Sequence, residues 1–356
     1  MQIEAEKLRA VVRRMCLHAG SDEREADMVA DNLVRANLSG HDSHGIGMMP
    51  AYISNVVEGL LKPNQHIEVR SDSGPILQLD GNVGYGQVIG HEAMDLGIAR
   101  ARDLGVAVIA LRRSHHLGRI GSWGEQCADA GMVSIHYVNS TGYRPIVAPF
   151  GGSDARYITN PYCTGVPATD DTPAMILDMA TSNIAMGKVR VAHNKGVPVP
   201  SGSLIDAEGN ETVDPGVMYR DPKGALLAFG NHKGYGLALV CELLAGALIN
   251  GGGHRPENSN GQVIINNMLS VIIDPDAVGD ESFFHDEVDA ITAHVKASPP
   301  APGVESVMVP GDPERKAHNA RTADGIPVDE ASWRQIVEAA SRVGMPAADI
   351  DAIISV

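Results

Sequence analysis

Apolar residues recur at helical spacing from the first turns of the chain. Leu8, Val11, Val12 and Met15, then Met28, Val29, Leu33 and Val34, predict helix across residues 2–38. Within that stretch Ser21, followed by Asp22, Glu23 and Arg24, reads as an N-cap with acidic residues at the positive end of a helix. A further helix is expected after His44, carrying Tyr52, Ile53, Val56 and Val57 and stopping at Gly59 before Pro63. From residue 66 the texture changes. Residues 67–69 and 75–79 read as short strands, 91–104 as a helix, and the β-branched run 105–111 as a buried strand. A Gly- and His-rich loop, a helix at 123–130 and a strand at 132–138 come next. This local alternation leans towards a parallel sheet with its loop at a strand's C-terminal end, where α/β folds place ligands. Beyond a Pro- and Gly-rich middle (142–230) the pattern gives a helix at 233–249, a strand at 269–273, a helix at 287–296 and a helical tail at 329–355 opened by Asp329. The expected organisation is a helical region, 1–70, packing with 325–356 beside a cofactor-binding sheet domain, 71–324.

Composition narrows the function classes. The chain has 356 residues, about two domains' worth, and 44% are hydrophobic, enough for a sizeable core. It carries 28 Lys and Arg against 44 Asp and Glu, a formal charge of −16, which argues against nucleic acid or an anionic membrane as partner. The first residues lack a signal-peptide pattern, and no apolar run approaches the roughly 20 residues of a membrane span. A cytoplasmic location is expected. Cys16, Cys127, Cys163 and Cys241 are too scattered for zinc or a disulfide framework and read as buried thiols.

Three constellations carry candidate chemistry. Gly40-His41-Asp42-Ser43-His44-Gly45 joins two helical stretches; His44 titrates near neutrality, with Ser43 or Asp42 to orient it. Residues 112–121, Arg112-Arg113-Ser114-His115-His116-Leu117-Gly118-Arg119-Ile120-Gly121, put cations and imidazoles on a glycine-rich loop, suited to an anionic substrate and a proton donor. Asn231-His232-Lys233-Gly234-Tyr235-Gly236 opens a helix, whose free N–H groups and a lysine make a phosphate seat. Gly81 to Gly90 mimics a dinucleotide turn, but Gly84 begins G-x-G-x-x-x-G, and the acid expected about 20 residues on is missing.

Asp42-Ser43-His44-Gly45, Ser114-His115-His116-Leu117-Gly118, Pro149-Phe150-Gly151-Gly152, Thr159-Asn160-Pro161, Leu177-Asp178-Met179-Ala180-Thr181-Ser182 and His232-Lys233-Gly234-Tyr235-Gly236 occur in this order. Together they resemble the malate/L-lactate dehydrogenase family, which includes sulfolactate and ureidoglycolate dehydrogenases. Ser43 to Met48, Gly118 to Gly121 and Lys195 to Pro200 resemble its hydroxycarboxylate dehydrogenase branch.

The resemblance implies a mixed α/β fold that is not Rossmann: a largely antiparallel central sheet flanked by helices, in a homodimer. It implies a nicotinamide-dependent oxidoreductase of 2-hydroxy and 2-oxo acids; the lack of cations at Ser182 and Asn183 points to NAD, with Arg190 or Arg315 allowing NADP. His44 would move the proton, with Ser43 beside it; His116 is the other candidate. Gly118, Arg119, Ile120, Ser140 and Asn160 would line the nicotinamide end, where His44 also lies. Ile176, Leu177, Asp178, Met179, Ala180 and Ser182, with His232, Lys233 and Gly234, would hold ribose and diphosphate. Pro310, Gly311, Asp312 and Arg315 would close over the adenosine. A substrate carboxylate calls for an arginine fork, yet Met48 stands where many members carry arginine. Arg119 or Arg144 would then anchor the carboxylate, with Tyr52 nearby, and an apolar Met48 suits a bulkier 2-oxo acid. The competing readings are a metal-dependent hydrolase using His41, Asp42, His44, His115 and His116, and a dinucleotide sensor without turnover.

Overall fold

The computed structural model describes residues 1–259, 261 and 263–355. In chain order it runs β1 (Gln2–Ile3), α1 (Ala5–His18), α2 (Glu23–Leu38), α3 (Met49–Val57), β2 (Glu68–Ser73), β3 (Ile76–Asp80), α4 (Gly86–Leu104), β4 (Val106–His115), α5 (Gly121–Asp129) and β5 (Val133–Thr141). It continues with β6 (Tyr162–Val166), β7 (Met175–Met179), α6 (Met186–Lys195), β8 (Leu204–Ile205), β9 (Glu211–Thr212), β10 (Ala225–Leu226), α7 (His232–Cys241), β11 (Ile265–Ile273), α8 (Pro275–Val278), α9 (Glu281–Lys296), α10 (Asp312–Asp324), β12 (Ile326–Pro327), α11 (Glu330–Arg342) and α12 (Ala347–Ser355).

The helical periodicity at both ends marks one shared core. Leu8, Val11, Met15, Val29, Leu33, Tyr52 and Ile53 pack with Ile336, Ala340 and Ile350, and β1 pairs with β12. Each such fully buried aliphatic or aromatic side chain contributes roughly 1.5–3 kcal/mol. The helical stretch expected over 2–38 is α1 and α2, with the break where a cap was expected. Gly20 turns the chain between them, and Asp22, not Ser21, is the cap: its carboxylate accepts the Glu25 amide at 2.8 Å. Ser21 donates instead to the Glu25 carboxylate.

The central sheet has strand order β2-β3-β4-β11-β5-β6-β7, and five of its six pairs are antiparallel. The parallel leaning of the local alternation is thereby corrected, because β11, from far along the chain, inserts between β4 and β5. Only β3 and β4 are parallel, joined through α4. A second apolar core binds α4 and α5 to this sheet, and a third gathers Ile146, Val147, Leu204, Met218 and Leu226 around a small sheet of β10, β8 and β9.

The strand–turn–helix at Gly81–Gly90 does precede α4, but no phosphate fits there. Tyr85, Gly86 and Gln87 are buried, and Gly86 lies directly against the 116–117 backbone. A Cβ at Gly86 would lie 2.1 Å from the His116 carbonyl oxygen. Gly86→Ala, favoured by about 1 kcal/mol on helix propensity, should instead destabilise by about 2 kcal/mol or more. The urea midpoint reads this out; a midpoint at or above the parent's would contradict the packing.

Strand β4 runs on through Arg112–His115, residues the sequence reading placed in a loop. The register with β11 shifts between Asn266 and Met268, and Arg113 there adopts a left-handed φ of 56°. Such a bulge re-aims the residues that follow it, here His115 and His116.

Candidate active site

Because β11 runs antiparallel to both β4 and β5, the C-terminal ends of β3, β4 and β5 meet at one edge of the sheet. His115, Ile265 and Thr141 share a register there. Antiparallel β6 begins at the same edge and antiparallel β7 ends at it, with Tyr137, Tyr162 and Met179 in register. The topology therefore collects His116, Ser140, Asn160 and residues 178–182 from the ends of four strands, β4, β5, β6 and β7. The segment 227–229 pairs with 181–183, so Gly230 and the first turn of α7, with Lys233, stand beside that edge too.

Two imidazoles stack over it. His44 lies on a 3-10 turn at Asp42–His44, and its ring faces that of His116 at 5.6 Å and 19°. Ser43 Oγ is 3.0 Å from His44 Nδ1. Asp42 does not orient the ring; it pairs with Arg321 of α10 and accepts from Asn37 at 2.7 Å. In α6, Gly187 lets the helix sit directly on Ser43, since a Cβ there would be 2.9 Å from the Ser43 Cβ. His116 Nδ1 is 2.7 Å from the Tyr52 hydroxyl, which also accepts from Gln87 at 3.0 Å. Tyr52 is fully buried, so it holds His116 from below.

Burial pushes the half-buried His44 down to about 4, with Asp178 working in the opposite direction and His41 and Arg119 adding to the depression. His116 is driven well below its ordinary value by burial, then by His44 and His115. Both rings are bases at neutral pH, and His44 is the more exposed of the two.

The five residues of the hydrolase reading do not converge. His41 bonds Glu314 at 3.0 Å and His115 bonds Asn55 at 2.9 Å. Among the described residues no three His, Cys, Asp or Glu side chains gather as a metal set.

The cations also separate. Arg112 and Arg113 neutralise the fully buried Asp80, at 3.2 and 3.4 Å, so they are unavailable to an anionic substrate. Arg119 is buried and engaged by Glu125 at 2.6 Å and Asp178 at 3.5 Å. Half-buried Arg144, just beyond β5, makes no side-chain hydrogen bond or ion pair among the described residues. Met48 packs against the terminal helical core.

Ile176, Leu177 and Asp178 form one wall of a cleft of about 350 Å³, facing Met308, Val309, Pro310, Gly311, Pro313 and Glu314. Two segments separated by about 130 residues thus meet. Asp178 accepts the Gly121 amide at 2.8 Å, capping α5 just past Ile120. Asp312 and Arg315 bind each other at 2.6 Å, and Arg315 also donates to the Ala174 carbonyl, so both tie α10 to β7. Although burial opposes ionisation, the Val309 amide, Arg315 and Lys296 hold Asp312 down to about 2. Lys233 and His232 are exposed, His232 lying edge-on to Phe150; Gly118 has a left-handed φ of 70°, and Ser182 donates to the Ile184 carbonyl.

Several site residues escaped sequence reasoning. Asn266 accepts the Leu117 amide at 2.9 Å and donates to Ser140 Oγ at 2.6 Å, and Asn267 accepts the Arg113 amide at 2.9 Å. These two asparagines fix the backbone on either side of His115 and His116 from a strand some 150 residues away. Gln87, Asn139, Glu242 and His254 are similarly remote. No local spacing signals any of them.

Among the described residues the buried Asn160 side chain leaves Oδ1 without a partner, an acceptor that a bound group carrying N–H, as a nicotinamide does, would satisfy. That atom and the cleft fit the cofactor that the resemblance implies.

The family model described as malate/L-lactate dehydrogenase matches residues 3–337. Hydroxycarboxylate dehydrogenase B of Escherichia coli (strain K12) is 46% identical over 347 residues, 97% of this chain and 95% of that protein. L-lactate dehydrogenase of Cupriavidus necator is 41% identical over 311 residues, 87% and 89% of the two chains. The solved sulfolactate dehydrogenase of Methanocaldococcus jannaschii superposes with a TM-score of 0.85 at 32% identity, covering 98% of this chain and 99% of that one. With its motifs in order, its fold matched and nearly its whole length covered, the chain belongs to the malate/L-lactate dehydrogenase family.

Proposed function

We propose that this protein is an NAD-dependent dehydrogenase of 2-hydroxy carboxylic acids, interconverting them with 2-oxo acids, in which His44 carries the proton. The observation behind it is the stacked His44–His116 pair, set at the sheet edge whose last strand walls the cleft. When bound, the nicotinamide supplies or accepts the hydride. His44, steadied through Nδ1 by Ser43, gives a proton to the carbonyl oxygen in reduction and takes it from the hydroxyl in oxidation. Tyr52 and Gln87 hold His116 beneath it. NAD is preferred to NADP because the charged side chains lining the cleft are Asp178 and Glu314, which repel a 2′-phosphate.

Arg144, without a side-chain partner among the described residues, anchors the substrate carboxylate, and Met48 leaves room for larger 2-oxo acids. The exposed Leu239, Val240, Leu243 and Leu248, on α7 and the wider turns after it, supply an apolar face for a homodimer. The enzyme acts in the cytoplasm.

Binding of NADH and NADPH, followed by nicotinamide fluorescence, tests the cofactor half. The expected result is tighter binding of NADH; no binding of either would overturn the reading. Lys233→Ala should weaken NADH binding about tenfold by removing one charge-assisted phosphate contact. An unchanged dissociation constant would misplace the phosphate seat.

A further inference from the structure

Two buried polar atoms without partners hang from one carboxylate. The Asn160 amide nitrogen donates to the Ala238 carbonyl at 3.1 Å and to Glu242 Oε1 at 2.9 Å. Both partners only accept, so the amide cannot turn round, and Oδ1 is fixed pointing away from them. His254 repeats the arrangement with a ring. Its backbone N–H donates to Glu242 Oε2 at 2.9 Å, and its Nδ1 lies 3.0 Å from the Ser140 carbonyl. A carbonyl only accepts, so Nδ1 carries the hydrogen, and in the neutral ring Nε2 is a bare acceptor. Asn160 Oδ1 and His254 Nε2 are both buried and unpartnered among the described residues. Such acceptors call for a donor.

Their position says which donor. Ser140, whose carbonyl holds His254, bonds through Oγ to Asn266, and Asn266 holds the amide next to His116. Asn160 lies across the β5–β6 pair from that strand, where the Val138 amide meets the Pro161 carbonyl at 3.1 Å. The acceptors therefore sit at the edge that carries the histidine pair. A nicotinamide must lie there to exchange hydride with a carbon whose oxygen His44 protonates. Its carboxamide is uncharged and offers two N–H groups on one nitrogen.

We propose that Glu242 orients Asn160 and His254 as acceptors for the carboxamide N–H groups, so that the protein reads the amide substituent of its cofactor. The inference rests on the nicotinamide reading above. Glu242 is a positioning residue and does not touch the cofactor; Asn160 and His254 do.

Calorimetric titration of the unmodified protein with three reduced dinucleotides tests this. NADH and its thionicotinamide analogue keep the N–H donors, whereas the acetylpyridine analogue has none. The thioamide should bind within about threefold of NADH and the acetyl compound roughly tenfold more weakly, the scale of leaving buried acceptors unpaired. In Asn160→Ala and His254→Phe the acetyl penalty should shrink towards unity, and in Glu242→Gln, where Asn160 is free to turn, it should shrink as well. A loss of packing alone would weaken all three ligands together and leave the ratio unchanged, which would overturn the assignment. The comparison on the parent protein needs no variant: NADH binding without discrimination refutes the carboxamide contact and spares the cofactor reading. Failure to bind NADH at all refutes both.

Discussion

His44→Ala lowers turnover by about 10²–10⁴-fold while NADH affinity stays within about threefold of the parent's. The asymmetry follows from where the proton must be held. Reduction needs an imidazolium beside the carbonyl oxygen, and charging a buried ring costs more the deeper it lies. His44 is half-buried, has Asp178 favouring its charged form, and is depressed only to about 4. His116 is closed in by Tyr52 and Gln87, and both neighbouring histidines oppose its charging. Since His44 is neutral above about pH 4, it is already a base for hydroxy-acid oxidation across the neutral range. That rate should be flat between pH 6 and 8 and fall in acid. Near-parental turnover in His44→Ala, with collapse in His116→Ala, would move the proton to His116.

Acid should destabilise this protein before its carboxylates are protonated. Burial pushes both His115 and His136 down to about 3, and His116 shifts the same way. His136 has one ring nitrogen on Ser270 and the other on Ser134, deep in the sheet. In the unfolded chain each histidine takes up a proton near pH 6.5. Between there and the folded value the unfolded state binds more protons, so stability is full above about pH 6.5 and falls as pH drops towards 3. At pH 5 each of His115 and His136 contributes a loss of about 2 kcal/mol. Glu25, whose carboxyl is raised by burial, opposes this. The melting temperature should fall by roughly 5–8 °C from pH 7 to pH 5. A level melting curve across that interval would contradict neutral, buried histidines.

Helical periodicity carries information because it reports one buried face, and the terminal layer was legible for that reason: Leu8, Val11, Val29 and Leu33 all lie in its core. Strand direction leaves no such imprint. Nothing in 105–111 or 132–138 announces that β11 will separate them, so the antiparallel sheet came through family resemblance rather than local pattern. The reach of β4 was hidden by Arg112 and Arg113, which look like loop residues but neutralise Asp80 around a bulge. Helix α9 begins at Glu281, earlier than expected, because exposed Phe283 breaks the amphipathic signature. For the site, His44, His116 and Lys233 stand out as chemistry next to glycine. The asparagines at 139, 266 and 267, with Glu242 and His254, do not, because their meaning lies in partners brought together by folding.

Hydride transfer between a nicotinamide and the carbon bearing the substrate's hydroxyl is open to a direct test: incubate the protein with NADH deuterated at the transferable position and a panel of pyruvate, phenylpyruvate, oxaloacetate and 2-oxoglutarate, with a chelator present. Mass spectrometry then locates the label. The expected product is a 2-hydroxy acid carrying one deuterium on its hydroxyl-bearing carbon, formed as fast with the chelator as without it. Product free of deuterium, or turnover abolished by the chelator, would contradict it.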